Sequence, residues 1–256
     1  MTEVIKGVLP SRTLDRDIAY RAIVPGGGGK RSAIYLLHGL FGNCDNFIDL
    51  TRVVEYAETC GLAVITPDGG DSWYAQSAAD DHEKFESFFF NEFISAAENK
   101  FPLKRNRRSR GIAGISMGGY AALKLAVRRP EMFAFAASSS GAFHAPLLSP
   151  DNTGPGWDEM QDSIMHAFGP AGSETRRSND LFRMVDEFAD DIVKLPAIFL
   201  DCGKDDSFLK VNRSFADELL HKNIPHTYDE ASGGHDWDYW DKSVAGILNR
   251  ASGLLK

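Results

Sequence analysis

The sequence predicts an α/β fold with a mainly parallel central sheet covered by helices on both faces. Three observations predict it. Short apolar runs at 32–37, 62–66, 111–113, 133–137 and 197–200 are bounded by small or turn-forming residues and read as buried strands. Between them lie longer segments whose apolar residues return at three- and four-residue steps, the helical period. Strands that alternate with helices pair in parallel, because each crossover carries the chain back to the same end of the sheet. The third observation is the stretch Gly114-Ile115-Ser116-Met117-Gly118-Gly119, set between the strand at 111–113 and a helical run at 120–127 rich in alanine and leucine. A Gly-x-Ser-x-Gly turn in that setting is so tight that the serine is forced into a strained backbone conformation, and its glycines let strand and helix approach closely. The turn raises the hydroxyl clear of the sheet, at a helix N-terminus whose partial positive charge favours a developing oxyanion. Ser116 is the candidate nucleophile.

Length and composition bound the rest. The chain has 256 residues, enough for one large α/β domain, and residues 1–256 are expected to form it. A hydrophobic content of 43% excludes a disordered chain. The net charge of −8 leaves no global attraction for nucleic acid or an anionic membrane, so neither is an expected partner. The three cysteines, Cys44, Cys60 and Cys202, do not resemble a disulfide framework. The start of the chain lacks the basic-then-apolar pattern of a secretory signal, and no apolar run approaches the ~20 residues that span a bilayer. A cytoplasmic location is therefore expected.

In chain order, 4–9 and 17–24 read as an antiparallel lead-in at a sheet edge. The glycine-rich turn after Pro25 has no Lys-Ser/Thr in phosphate-loop register. A strand at 32–37 ends in His38-Gly39-Leu40, and a helix over 47–60 is stopped by Gly61. A long helix follows over about 82–100, its phenylalanines at core spacing. The basic cluster at 104–110 is expected to be a solvated loop at the end of the sheet away from Ser116. From 142 to 178 proline and glycine recur, with a short helix expected near 157–168. An irregular insertion of that length inside a compact domain is expected to form a lid or pocket wall. Helices at 181–190, 208–222 and 236–250 and a strand at 227–230 complete the pattern.

An activated serine needs a base, and the base needs a group to hold it. Both should lie on loops leaving the carboxyl ends of strands. The strand at 197–200 runs into Asp201-Cys202-Gly203-Lys204-Asp205-Asp206, and that at 227–230 into Ala231-Ser232-Gly233-Gly234-His235. The order serine, aspartate, histidine is that of the α/β-hydrolase fold. Among seven histidines, His235 has the glycine-flanked strand-end position of a general base. Spacing does not decide between the adjacent Asp205 and Asp206; the unused one is expected to cap the next helix. The oxyanion donors are expected to be the backbone N–H groups of Met117 and Leu40, with His38 organising the loop. His82 follows Asp80-Asp81, but without a metal-ligand spacing, and no metal site is expected.

These stretches, 32–47, 114–125, 201–209 and 233–240, resemble the esterase family that includes esterase D, or S-formylglutathione hydrolase, and most nearly its small bacterial tributyrin-esterase-like carboxylesterases. The resemblance runs from about 4 to 248 and is weakest over 142–178. It implies hydrolysis of small-molecule carboxylic esters or thioesters with no cofactor. It also implies Asp206 as the acid, since Cys202-Gly203-Lys204-Asp205-Asp206 followed by Phe208-Leu209 matches the family's run. The formylglutathione-specific members carry Ser-Gly-Leu-Thr-Cys where this chain has His38-Gly39-Leu40-Phe41-Gly42, a departure that points toward the broader carboxylesterases. Sugar or aryl esters, and acyl transfer to a sugar or alcohol, stay open at this stage. Trp73, Tyr74 and Trp157 are expected to line the substrate pocket, and Trp237 and Trp240 to serve mainly as core. A homo-oligomer is compatible with the sequence.

Overall fold

The computed structural model describes residues 1–149, 158–187 and 194–256, with the side chains of Asp158 and Glu159 outside that description. Eight strands form one sheet in the order β1-β2-β4-β3-β5-β6-β7-β8. The hairpin β1 (Glu3–Ser11) and β2 (Arg16–Val24) makes its edge, and β2 joins β4 (Ala63–Pro67) antiparallel. From there the pairing is parallel through β3 (Ala33–Leu37), β5 (Arg110–Ile115), β6 (Phe135–Ser139), β7 (Ala197–Gly203) and β8 (His226–Ala231). The sequence-derived strands all appear. β3 starts a residue later than expected, and β6 is shifted by two residues.

Side-chain alternation divides the core into two layers. Ala33, Tyr35 and Leu37 of β3 face one layer, and Ile34 and Leu36 face the other. The second layer is closed by α1 (Asn46–Leu50), α2 (Val53–Cys60) and the terminal α10 (Trp237–Leu254), through Phe47, Val53, Ala57, Val244 and Ile247. The first is closed by α3 (Phe85–Phe88), α4 (Ile94–Lys100) and α5 (Met117–Arg128). Phe85, Phe88, Phe89 and Phe93 pack in that layer, Phe89 edge-on to Tyr35 at 5.7 Å between ring centres. Burying one such ring removes apolar surface worth about 1.5–3 kcal/mol.

Three expectations need correction. The helix over 47–60 is two helices, because Thr51 is extended (φ −140°, ψ 170°). The break is held from a distance: the Arg52 N–H donates to Asp241 Oδ1 at 2.8 Å, and the Tyr56 hydroxyl donates to the same carboxylate. The helix over 82–100 begins at Phe85 and carries a π turn at Phe89–Phe93 between α3 and α4. The basic cluster is not simply solvated. Arg110 forms a buried ion pair with Glu98 at 2.7 Å and also donates to Met132 O, and Arg107 donates to Pro130 O. These arginines fasten the end of the sheet away from Ser116, and a buried pair of this kind is costly to break on one side only.

The insertion is more regular than expected. It holds a 3₁₀ turn at Ala145–Leu147, α6 (Asp158–Phe168) and α7 (Glu174–Ser178), whose first turn is capped by Ser173. The helix expected over 181–190 is described as α8 (Leu181–Glu187); 188–190 lie outside the described residues. The last crossover is α9 (Leu209–His221). Among the described residues no helix is long and apolar enough to cross a membrane.

Candidate active site

The site forms at the carboxyl ends of β3, β5, β7 and β8. Ser116 sits between β5 and α5 with φ 53° and ψ −117°, a conformation that residues with a β-carbon avoid and that persists only when the surroundings enforce it. The surroundings are close backbone. A β-carbon on Gly118 would lie 2.1 Å from Leu37 O, and one on Gly114 2.3 Å from Gly118 C. Only glycine allows β3, β5 and α5 to meet so tightly. The turn is locked by the Ser116 N–H donating to Ser139 O at 2.9 Å and the Tyr120 N–H donating to Ser116 O at 3.0 Å.

Ser116 Oγ lies 3.0 Å from His235 Nε2, and His235 Nδ1 lies 3.0 Å from each carboxylate oxygen of Asp206. An ionised carboxylate only accepts, so Nδ1 carries the ring proton and Nε2 is the acceptor facing the serine hydroxyl. Burial raises the Asp206 carboxyl's affinity for a proton. Hydrogen bonds from His235, the Phe208 N–H and Ser140 outweigh it and hold the group below the usual carboxylate range. Asp206 therefore remains charged beside the imidazole. Asp205 is exposed and makes no cap; Asp206 itself accepts the Phe208 N–H at 2.7 Å, so one side chain holds both the turn and the histidine. The ring of His235 is boxed edge to face by Phe208 at 4.5 Å and Trp240 at 4.9 Å.

The loop after β3 is organised by His38. Its Nε2 accepts the Gly69 N–H at 2.9 Å, so Nδ1 carries the proton and donates to Gly39 O at 2.8 Å. This ties the loop after β3 to the loop after β4, and the same Gly39 O accepts the Gly42 N–H at 3.1 Å. A β-carbon on Gly39 would stand 3.4 Å from Ser116 Cβ, so the backbone leading to Leu40 passes directly over the serine. Met117 is buried at the first position of α5. Leu40 and Ser116 line a cavity of about 640 Å³ whose walls include Met160 of α6, Phe208, Trp237 and Trp240.

Two expected pocket residues are elsewhere. Trp73 and Tyr74 are each 1% exposed and belong to the core. Their left-handed φ values of 55° and 48° turn the rings inward. Trp73 packs on Tyr120 and Phe168 and donates its indole N–H to Ser163 Oγ at 3.0 Å. Tyr74 lies against Gly69, and its carbonyl accepts from the wholly buried Lys124 Nζ at 2.9 Å. Burial pulls that lysine down to about 7. Trp157 lies outside the described residues. The pocket aromatic that sequence reasoning did not assign, Phe208, lies two residues after Asp206, and Trp237 and Trp240, expected mainly as core, line the cavity two and five residues after His235. Cys202 is buried in β7, and burial together with Asp206 and Asp201 pushes its thiol up, which makes it inert. His144 stands edge-on to Phe208 at 4.7 Å, and burial and then His235 push it down to about 4, leaving it neutral.

A family model described as "Putative esterase" matches residues 11–251. An acetyl esterase of Caldicellulosiruptor saccharolyticus is 32% identical over 217 residues, covering 83% of this chain and 80% of that protein. A diacylglycerol acyltransferase/mycolyltransferase of Mycobacterium avium is 28% identical, covering 96% of this chain and 82% of its own. The solved structure of an S-formylglutathione hydrolase from Staphylococcus aureus superposes with a TM-score of 0.85 at 26% identity, covering 98% of this chain and 99% of that one. The serine turn, the sheet order and a match that spans β2 to α10 lead to one assignment: the chain belongs to the "Putative esterase" family, as a carboxylic ester hydrolase of the α/β-hydrolase fold.

Proposed function

We propose that the protein is a serine carboxylesterase that hydrolyses short-chain acyl esters through an acyl-enzyme on Ser116. The observation that carries this reading is the unbroken hydrogen-bond line from Ser116 Oγ through His235 to Asp206. Ser116 Oγ attacks the ester carbonyl carbon while its proton passes to His235 Nε2. The carbonyl π electrons move to oxygen, and the oxyanion is held by the Leu40 and Met117 N–H groups. The intermediate collapses, the bond to the alkoxy oxygen breaks, and His235 returns the proton to the leaving alcohol. Water then repeats the sequence on the acyl-enzyme and frees the acid. Asp206 keeps Nδ1 protonated and balances the transient imidazolium. The apolar walls Met160, Phe208 and Trp240 suit a small hydrocarbon acyl group, Met160 coming from α6.

Rates on p-nitrophenyl esters of about two to eight carbons test this reading. Turnover is expected to be fastest on the short esters and to fall roughly tenfold or more along the series, as added methylenes exceed the space between those walls. Equal rates along the series, or no turnover on any ester, contradict it. A second reading, acyl transfer to a sugar or alcohol, is favoured by the mycolyltransferase relative. Transfer of most of the acyl group to an added alcohol in place of water selects that reading. The His38-Gly39-Leu40-Phe41-Gly42 loop supports a carboxylesterase over a strict formylglutathione thioesterase.

A further inference from the structure

Lys124 is a lysine with no exposure at all, in the middle of α5. Taking an ammonium group out of water is unfavourable, and an apolar side chain of similar length would fill the space without that penalty. Its ion-pair partner Glu86 of α3 is 3.6 Å away, and that carboxylate is already held by two bonds of 2.8 Å from Arg128. Ion pairing therefore leaves the burial largely unexplained. The close contact is a different one: Lys124 Nζ donates to Tyr74 O at 2.9 Å. Burial lowers the amine to about 7, and its nitrogen has an N–H to donate whether it is charged or neutral.

The acceptor lies in the loop that follows β4. Tyr74 and its neighbour Trp73 are both left-handed, with φ 48° and 55°, and two such residues in a row persist only when their surroundings enforce them. This loop in turn clamps the loop after β3 at two points. The Gly69 N–H donates to His38 Nε2, whose Nδ1 donates to Gly39 O. Two residues beyond Gly69, Asp71 Oδ1 accepts the Phe41 N–H at 2.7 Å. Leu40 stands between the clamped positions, Gly39 and Phe41. The Tyr74 ring lies against Gly69, with its centre 5.7 Å from that of the His38 ring, so the anchored residue touches the clamp directly.

We propose that Lys124 is a positioning residue for ester hydrolysis, holding the Leu40 N–H in place against the Met117 N–H by anchoring the loop after β4 to the helix that carries Met117. The proposal rests on the esterase reading of Ser116. Met117 opens α5, and Lys124 follows about two helical turns later on the same face. The helix is thus a rigid arm between one oxyanion donor and the anchor of the other. An oxyanion gains its full stabilisation only when both donors point at the place where its charge develops. Shifting the loop weakens the bond from Leu40 in the transition state and changes the binding of the uncharged ester little. Lys124 itself touches no substrate.

The test uses a short p-nitrophenyl ester, with active sites counted by fluorophosphonate titration, and an alkyl trifluoromethyl ketone as inhibitor. Ser116 Oγ adds to the ketone carbonyl carbon, its proton passes to His235, and the former carbonyl oxygen becomes the oxyanion. Lys124→Met keeps the length of the side chain and loses the donor. Its kcat per active site is expected to fall about tenfold with KM within about twofold, and Ki for the ketone to rise about tenfold. Asp71→Ala frees one clamped point on an exposed loop, and is expected to move kcat and Ki the same way by about threefold. Glu86→Gln removes the carboxylate of the ion pair but leaves the donor, so it is expected to lower the melting temperature with kcat and Ki within about twofold. A lysine that served only stability would change the melt or the number of active sites without moving Ki, which does not depend on how many molecules are folded. Unchanged kcat and Ki in Lys124→Met overturn the proposal and leave the esterase reading intact. So does a Ki raised as much by Glu86→Gln as by Lys124→Met, since charge would then matter and not the donor. Should Lys124→Met fail to fold, an unmoved Ki in Asp71→Ala overturns the proposal in its place. A native protein that neither turns over the ester nor binds the ketone overturns the esterase reading and this proposal with it.

Discussion

Ser116→Ala is expected to abolish ester hydrolysis, with kcat reduced by roughly 10⁶, the scale seen when a nucleophile working as part of a unit is removed. Steady-state turnover of a short p-nitrophenyl ester measures it. The fold should survive the change. The serine hydroxyl bonds to His235, whereas the turn is held by the Ser116 N–H to Ser139 O and the Tyr120 N–H to Ser116 O, which alanine keeps. Alanine inherits the same left-handed strain, so the melting temperature is expected to stay within about 3 °C of the native value. Loss of activity with a shifted melt would point to a damaged turn; loss with an unmoved melt isolates the hydroxyl.

Gly118→Ala is expected to be the most destructive small substitution in the chain. The added carbon would stand 2.1 Å from Leu37 O and 2.6 Å from His38 O. Both are backbone atoms at the end of β3, so no side chain can swing aside and either β3 or α5 must move. A cost of roughly 3–5 kcal/mol is expected, in the range that marks severe overpacking. Any molecules that still fold should also lose activity, because the displaced segment carries Gly39 and Leu40 over Ser116. Denaturant unfolding measures the stability, and Gly246→Ala is the control. A β-carbon there meets nothing within 4 Å in the middle of α10, so that change is expected to stabilise by about 0.5–1 kcal/mol. Equal effects of the two changes would contradict the close approach on which the turn depends.

Much of this was legible in the sequence, and the parts that were not share a cause. Local pattern revealed the strands, because a buried parallel strand is apolar throughout, and it revealed the serine turn, because few residues fit so tight a bend. It also put Asp206 and His235 at strand ends. It could not separate Asp206 from Asp205, since which of the two faces His235 depends on a side chain closing its own turn onto the Phe208 N–H. The split between α1 and α2 was hidden for a similar reason. The group that holds Arg52 is Asp241, 189 positions further along. Trp73 and Tyr74 misled because loop aromatics near a serine read as pocket walls. Their burial depends on two successive left-handed residues and on Lys124 reaching across from α5, none of which leaves a periodic trace. The arginines of 104–110 read as solvated because charge is usually exposed, and only the fold brings Glu98 to Arg110.

The central claim is that Ser116 is the nucleophile and His235 its base. Intact-mass analysis after treatment with an alkyl fluorophosphonate tests it most directly, because the reagent is captured by a serine that its neighbours have activated. The account predicts one adduct per chain, mapped by digestion to the segment 111–124, absent in Ser116→Ala and formed much more slowly in His235→Ala. No adduct on the native protein, or an adduct on another serine such as Ser138, Ser139 or Ser140, would contradict it.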